Sequence, residues 1–162
     1  MKVKILFVCL GNICRSPSAE AIFRHLVAQR NIEDDFVIDS AGTYGGHAGE
    51  LPDTRMRYAG SKRGYDISSR SRQITFDDFF NFDLLICMDN KNVDKLSEMA
   101  PDIECKNKIR RMTDYCSKHI IDHVPDPYYG GDSGFENVLD ILKDACNGLV
   151  CELTKKMCTN NH

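Results

Sequence analysis

The feature that most constrains the fold is a change of hydrophobic period near the amino end. The segment "KILFV", Lys4 to Val8, is a short apolar run without alternation, which is typical of a strand buried on both faces. From Ser16 onward the apolar residues follow helical spacing, at Ala19, Ile22, Phe23, Leu26 and Val27. Because a buried strand that leads directly into a helix is the unit of a parallel sheet, this segment predicts an α/β fold.

The same alternation continues along the chain. Phe36 to Ser40 and Phe82 to Met88 have the composition of further strands, and Lys108 to Met112 is polar enough for a sheet edge. Helices are expected from Pro52 to about Ser61, after a cap at Asp89 or Asn90, and from Phe135 to Met157. The pattern predicts a parallel sheet with helices on both faces, and such sheets bind ligands at the carboxyl ends of their strands.

Composition and charge exclude several classes of protein. The 162 residues carry a net charge of −3, so the whole chain is not an electrostatic nucleic-acid binder. No apolar run reaches the roughly 18 residues of a membrane span, and we interpret the start "MKVKILFVC" as a strand rather than a signal peptide. Without a secretory signal, the eight cysteines are expected to be reduced and the location cytoplasmic. The absence of a C-x2-C pair argues against a zinc knuckle.

The turn between the first strand and the first helix, in the stretch "VCLGNICRSPSAEA", carries the candidate chemistry. N–H groups at the start of a helix and the helix dipole together form an anion site. The same field favours the thiolate form of Cys9, and Gly11 lets the chain turn tightly. Arg15 can hold two oxygens of a phosphoryl group in a plane. The turn therefore predicts a sulfur nucleophile aimed at phosphorus.

Ser16 has two interpretations. Its hydroxyl can cap the helix, with Pro17 at the first helical position. It can also donate to the Cys9 sulfur and stabilise that sulfur as a thiolate and as a leaving group. The turn is not a nucleotide P-loop, because the chain contains no G-x4-G-K-[ST] pattern.

The loop "VPDPYYGG" offers an acid. Asp126 lies between two prolines that restrict the backbone, so it is either a turn aspartate or a carboxyl group held in a fixed direction. A phosphatase needs such a group to protonate the leaving oxygen and later to accept a proton from water. Tyr128 and Tyr129 are either surface aromatics or the walls of a slot for a flat ring.

With these residues in view, the chain resembles the low-molecular-weight protein tyrosine phosphatases from about Lys4 to Leu153. The stretch "VCLGNICRSPSAEA" is similar to the family's phosphate-binding loop and "DPYYGG" to its acid loop, while "SAGT" and "RQITFDDFFNFDLLICMD" are similar to its second and third strands. The resemblance implies one domain over residues 1–162, a three-layer α/β sandwich. Its four parallel strands would lie in the order 2-1-3-4, with helices on both faces. It implies no metal and no organic cofactor.

The resemblance also implies roles for matching residues. Cys9 would form a cysteinyl-phosphate, Arg15 would bind the phosphate and the transition state, and Asp126 would be the general acid and base. Asn12 would order the loop through Ser40. Ser16 would assist the thiolate, and Cys14 could form a reversible disulfide with Cys9. The residues expected to bind substrate are Leu10, Gly11, Asn12, Ile13, Cys14, Ser16, Tyr44, His47, Tyr128 and Tyr129.

Three positions bear on specificity. Ser69 stands where the family often has a histidine that supports the loop serine, so that support is expected to be missing or rebuilt. Gly46 stands near the family's usual large aromatic residue, and Tyr44 is expected to supply the aromatic wall instead. Ile13 accompanies phosphotyrosine in the family and threonine accompanies phosphoarginine, so the resemblance implies phosphotyrosine.

We therefore expect a monomeric enzyme acting on phosphotyrosine-containing proteins, with phosphate or sulfate able to occupy its loop, and without nucleic-acid or membrane partners. Arsenate reduction on the same scaffold needs two further relay cysteines close after the third strand, and the next cysteine after Cys87 is Cys105. A non-catalytic phosphopeptide binder would need an inert Cys9 or no acid. The basic stretch from Arg55 to Arg72 is interpreted as a solvated face or, second, as a surface that steers an anionic substrate, and Arg72 is expected to pair with a carboxylate.

Overall fold

The computed structural model describes residues 1–128 and 130–160, and four parallel strands lie at the centre of this part of the chain. They are β1 (Val3–Cys9), β2 (Phe36–Gly42), β3 (Leu84–Cys87) and β4 (Ile109–Arg111). Their order in the sheet is β2-β1-β3-β4, which confirms the predicted fold class and strand order. The strand order reverses beside β1, so its carboxyl end lies where parallel sheets bind ligands.

The helices cover both faces of the sheet. They are α1 (Arg15–Gln29), α2 (Thr54–Lys62), α3 (Asp78–Asn81), α4 (Asn90–Met99), α5 (Ile103–Lys106) and α6 (Asp132–Asn160), with 3-10 turns at Glu33–Asp35 and Met112–Tyr115. On one face α1, α2 and α6 share a core with the sheet, and on the other face α3, α4 and α5 do. Among the described residues, no helix has the length and apolar character needed to cross a membrane.

The apolar run of β1 is buried on both faces, as its sequence predicts. Ile5 and Phe7 belong to the core under α1 and α6, and Leu6 and Val8 to the core under the shorter helices. All four side chains are fully buried, and burial of each one stabilises the fold by about 1.5–3 kcal/mol. This buried run therefore fixes the position of the last residue of the strand, Cys9.

Several predicted boundaries are wrong. The first helix begins at Arg15 with Cys14 as its N-cap, so Ser16 is not the cap and Pro17 is not the first residue. Strand β2 continues to Gly42 because the pairing with β1 extends as far as Cys9. The last helix begins earlier than Phe135, and it includes Asp132, whose charge suits the first turn of a helix.

The predicted cap of the helix after β3 is Asp89, which forms a capping box with Asn92. The four-residue helices α3 and α5 were not predicted, since one turn is too short to show a hydrophobic period. Cys105 has polar neighbours in sequence, Glu104 and Lys106, but it is 2% exposed and packs among apolar side chains.

The basic stretch from Arg55 to Arg72 is largely paired with carboxylates. Arg63 at the end of α2 binds Glu136 and Asp140 of α6 at 2.5 and 2.8 Å. Arg72 binds Asp39 and Asp78, each at 3.0 Å, and so makes the predicted carboxylate pairing. These ion pairs hold segments of the fold together.

A buried carboxylate fixes the loop that packs on α6. Asp144 is 4% exposed, and its two oxygens accept hydrogen bonds from the backbone N–H groups of Ser117, Lys118 and His119 at 2.9–3.0 Å. The His119 ring adds a contact at 2.8 Å. Burial alone would raise the pKa of Asp144, but these donors hold it well below its usual range.

We predict that Asp144→Asn lowers the free energy of unfolding by about 2–4 kcal/mol, because an amide nitrogen would face the N–H donors. Since the folded-state pKa is depressed, the carboxylate stabilises the fold above about pH 4, and this stabilisation is lost as the pH falls toward the folded-state value. Urea unfolding at several pH values measures both effects.

The matched control is Asp140→Asn, which removes an exposed ion pair on the same helix and should cost less than about 1 kcal/mol. Equal costs for the two variants would contradict a special role of Asp144.

Candidate active site

A cavity of about 140 Å³ opens where β1 ends and α1 begins. Its lining residues were all predicted for the site: Cys9, Leu10, Gly11, Ile13, Cys14, Arg15, Tyr44, His47, Asp126 and Tyr128. Two further predicted residues, Asn12 and Ser16, are buried behind this lining. Tyr129 lies outside the described residues. The site thus combines residues from three separate segments of the chain, 9–16, 44–47 and 126–128.

The turn is shaped by Asn12, which has a left-handed backbone with φ of 56°. Gly11, which was expected to permit the tight turn, does not have a positive φ. Gly11 instead makes room for His47, because a Cβ at residue 11 would lie 3.2 Å from the His47 ring. Gly42 of β2 is needed for another close approach, since a Cβ there would lie 2.7 Å from the Leu10 carbonyl oxygen.

Hydrogen bonds hold Asn12 in this conformation. Its Nδ2 donates to Ser16 Oγ at 2.7 Å and to Ser40 Oγ at 3.0 Å, and its Oδ1 accepts from the backbone N–H of Arg72 at 3.1 Å. Ser40 Oγ in turn donates to Glu20 at 2.7 Å. The expected bond from Asn12 to Ser40 is present, and the network fixes a residue that would otherwise be strained.

The Cys9 sulfur lies at the floor of the cavity beside Ser16. The Ser16 Oγ is 2.9 Å from Cys9 Sγ, and the Ser16 backbone N–H donates to the same sulfur at 3.4 Å. Because Ser16 Oγ already accepts from Asn12, its own hydrogen is available for the sulfur. This contact favours the second interpretation of Ser16 over that of a helix cap.

The support expected from residue 69 comes from its neighbours instead. Ser71 Oγ donates to the Gly11 carbonyl at 3.1 Å, and the Arg72 backbone N–H reaches Asn12. Among the described residues, the Ser16 hydroxyl forms hydrogen bonds with Asn12 and Cys9. Ser69 is only half-buried. The segment around residues 69–72 therefore still braces the turn, through different atoms.

Two thiols that interact electrostatically with Cys9 are held in the neutral form. Burial, with the nearby carboxylate of Asp53 and the Cys9 sulfur, raises the pKa of Cys14 well above its usual range. Burial also raises the pKa of Cys87, which is fully enclosed in β3. Both groups are therefore weak nucleophiles at neutral pH.

Arg15 places a permanent positive charge beside the sulfur. Its side chain is 4% exposed, and its Nη1 donates to Asp89 at 2.7 Å and to the Val124 carbonyl at 3.2 Å. Burial alone would lower the pKa of Arg15, but the Cys9 sulfur, Asp89 and Asp126 raise it. The guanidinium is thus oriented by fixed partners and stays charged.

Asp126 lies at the mouth of the cavity. Its Oδ2 is 3.6 Å from Arg15 Nη2, and its Oδ1 accepts a hydrogen bond from the Tyr128 backbone N–H at 3.0 Å. The side chain is 37% exposed, so water can reach it. The carboxyl group is held by its own loop and faces the cationic end of Arg15.

Aromatic rings surround the mouth. The rings of Tyr44 and His47 lie with centroids 6.1 Å apart, and those of His47 and Tyr128 lie 6.5 Å apart. A Cβ at Gly46 would overlap the Tyr44 ring, so glycine at that position allows Tyr44 to lie where it does. The predicted aromatic walls from Tyr44 and Tyr128 are both present beside the cavity.

Sequence reasoning missed the partners that orient these groups. Asp89 was expected only as a helix cap, yet one of its oxygens accepts from Asn92 and the other binds Arg15. A carboxylate directly after a buried strand of a parallel sheet is a signal that could have indicated it. Asp53 and Arg55, which brace the acid loop, carry no comparable signal in sequence.

One cluster elsewhere has the residue types of a metal site. In the part of the chain that the structure describes, the ligand atoms of Cys116, His119 and Asp144 lie within 4.8 Å of one another. The Asp144 oxygens are already occupied by several N–H donors, and burial with the nearby Asp144 raises the pKa of Cys116 to about 12. The cluster fits a structural anchor better than a metal site.

Comparison with known proteins agrees with this geometry. The family described as low molecular weight phosphotyrosine protein phosphatase matches residues 4–159. A human relative of that name is 43% identical over 148 residues, which covers 90% of this chain and 92% of the relative.

Solved structures give the same result. A protein tyrosine phosphatase from Entamoeba histolytica with Hepes in its active site has a TM-score of 0.93 and 45% identity, covering 96% of this chain and 99% of that one. The Drosophila arginine phosphatase has a TM-score of 0.86 and 33% identity, covering 94% and 98%. This chain belongs to the low molecular weight phosphotyrosine protein phosphatase family.

Proposed function

We propose that this chain is a protein tyrosine phosphatase that hydrolyses phosphotyrosine monoesters through a cysteinyl-phosphate on Cys9. The observation that carries the proposal is the placement of three groups around one small cavity. The Cys9 sulfur is at the floor, the Arg15 guanidinium is beside it, and the Asp126 carboxyl is at the mouth. This is the arrangement that an in-line displacement at phosphorus requires.

In the first step, the Cys9 thiolate attacks phosphorus and the bond from phosphorus to the ester oxygen breaks. The departing phenolate takes the proton of the Asp126 carboxyl group. The side chain of the N-cap residue, Cys14, forms no capping hydrogen bond at the start of α1. The N–H groups there and the guanidinium of Arg15 stabilise the negative charge on the phosphoryl oxygens. Asp89 keeps the fork oriented while this happens.

In the second step, water attacks the phosphorus of the cysteinyl-phosphate. The Asp126 carboxylate takes a proton from that water, the sulfur–phosphorus bond breaks, and phosphate leaves. The Ser16 hydroxyl, 2.9 Å from the sulfur, stabilises the thiolate as the leaving group. The Asp126 base at the mouth therefore assists the attacking water, and the stabilised Cys9 sulfur at the floor is the leaving group of the same displacement.

The aromatic mouth favours an aryl phosphate. Tyr44, His47 and Tyr128 form walls around the opening, and a flat phenyl ring stacks well against such walls. Ile13, which lines the cavity, adds an apolar surface. The Drosophila relative is an arginine phosphatase, so phosphoarginine is the competing substrate, and a direct comparison of the two phosphopeptides decides between them.

Two other functions receive less support. Arsenate reduction needs accessible relay cysteines, but Cys87 is fully buried in β3 and Cys105 is buried against α3. A non-catalytic binder would not need an acid, and Asp126 is oriented toward Arg15.

We predict that Cys9→Ser abolishes hydrolysis of phosphotyrosine peptides, because the variant lacks the nucleophile, while phosphate still binds. A coupled phosphate assay measures turnover, and calorimetry with inorganic phosphate measures binding. Cys151→Ser is the control, since Cys151 is exposed and distant in sequence from the turn, and it should keep wild-type turnover. Turnover in Cys9→Ser would contradict the assigned nucleophile.

We predict that Asp126→Asn lowers kcat/KM for phenyl phosphate by about 10²–10⁴-fold, because the phenolate leaves without a proton. The loss for nitrophenyl phosphate should be smaller, since that leaving group needs less protonation. Steady-state rates with both esters measure the difference. An equal loss for both would mean that Asp126 is not the acid.

We predict that Asn12→Ala weakens phosphate binding by about tenfold or more, because it removes three hydrogen bonds and strains the left-handed backbone. Asn12→Gly removes the same bonds without the strain and should be more stable than Asn12→Ala by about 1 kcal/mol. Calorimetry with phosphate and thermal unfolding measure the two effects. Wild-type affinity in both variants would contradict the role of the network.

A further inference from the structure

Arg55 connects the acid loop to the phosphate-binding turn. Its Nη2 donates to the backbone carbonyl of Tyr128 at 2.9 Å. The N–H of the same residue donates to Asp126 Oδ1 at 3.0 Å. Tyr128 therefore lies between Arg55 and the Asp126 carboxyl group in one series of hydrogen bonds.

The guanidinium is fixed from two other sides. Its Nε and Nη2 bind the two oxygens of Asp53 at 3.1 and 3.0 Å. Its plane lies over the Phe135 ring at 4.7 Å and near the Tyr128 ring at 5.8 Å. The hydrogen bond to Asp53 raises the pKa of Arg55, so the group stays charged.

Asp53 belongs to the phosphate-binding side of this connection. Its backbone N–H donates to the Ile13 carbonyl at 2.8 Å, within the turn between Cys9 and Arg15. Its side chain is 11% exposed and caps α2 by accepting from the Arg55 backbone N–H. A continuous series of contacts thus runs from the turn to Asp126.

We propose that Arg55 is a positioning residue, which sets the direction of the Asp126 carboxyl group relative to the phosphate-binding turn. The inference rests on the proposed function, because it assigns a task to the acid of that mechanism. Arg55 itself does not line the cavity, so it acts through Tyr128 and touches no reacting atom.

The chemistry of the contacts requires arginine. The planar fork binds both oxygens of Asp53 and still has an N–H for the Tyr128 carbonyl, while its face stacks on rings. Lysine keeps the charge but offers neither the fork nor the plane. Because Arg55 is 44% exposed, its ion pair adds little to global stability, and its effect should appear in the acid-dependent step.

The test uses the full chain and a series of aryl phosphates whose leaving groups differ in basicity. We expect Arg55→Met to lower kcat/KM for phenyl phosphate by about tenfold and for nitrophenyl phosphate by less than about threefold. A misplaced acid slows hydrolysis most for the ester whose leaving group most needs a proton. Arg55→Lys should recover little of the loss. The inhibition constant of inorganic phosphate should stay unchanged, because the turn remains intact.

A double-mutant cycle with Asp126→Asn separates positioning from general damage. If Arg55 acts through Asp126, Arg55→Met should cost no more than about twofold when Asp126 is already asparagine. A matched control, Arg57→Met on the same helix, should match wild type throughout. Asp53→Asn keeps a capping side chain but loses the ion pair. It should give the same dependence on the leaving group as Arg55→Met, with smaller losses. This variant tests the inference even if Arg55→Met does not fold.

The outcomes distinguish the inference from the function. Equal losses for all leaving groups, or an undiminished loss in the Asp126→Asn background, would overturn the positioning role while leaving the phosphatase proposal intact. A wild-type chain that hydrolyses none of these esters would overturn the proposed function itself.

Discussion

Asn12, which has a left-handed backbone, lies in the turn between Cys9 at the end of β1 and the start of α1, and its side chain holds that turn together. Its amide donates to Ser16, and this leaves the Ser16 hydrogen available for the sulfur 2.9 Å away. Its other contacts reach Ser40 and the Arg72 backbone, so two further segments brace the same turn. Loss of this network would change the shape of the cavity floor even though every reacting group was still present.

The second constraint is a balance of charge around one guanidinium. Arg15 lies between Asp89 at 2.7 Å and Asp126 at 3.6 Å, with the Cys9 sulfur nearby. Asp89 is the close partner and orients the guanidinium, whereas Asp126 is the more distant and more exposed carboxylate. An entering phosphate dianion would take up the free side of the fork, in a cavity too small for a large ligand.

Much of this arrangement could be predicted from sequence because it depends on local patterns. The change of period after Val8 fixes a strand, a turn and a helix, and the turn contains Cys9 and Arg15 within seven residues. The partners could not be predicted in the same way. Asp89 is 74 residues from Arg15 and Arg55 is 73 residues from Tyr128, and only the folded chain brings each pair together. The role of Ser16 could be decided only from the structure, because a serine that caps a helix and a serine that donates to a sulfur look the same in sequence.

The most direct test of the central claim is to find where phosphorus is bound during turnover. Asp126→Asn is mixed with nitrophenyl phosphate, denatured rapidly, and its peptides are analysed by mass spectrometry. Because the variant lacks the base for the water step, the covalent intermediate should accumulate. The account predicts a phosphoryl group on Cys9. A phosphoryl group on any other residue, with Cys9 unmodified while product forms, would contradict it.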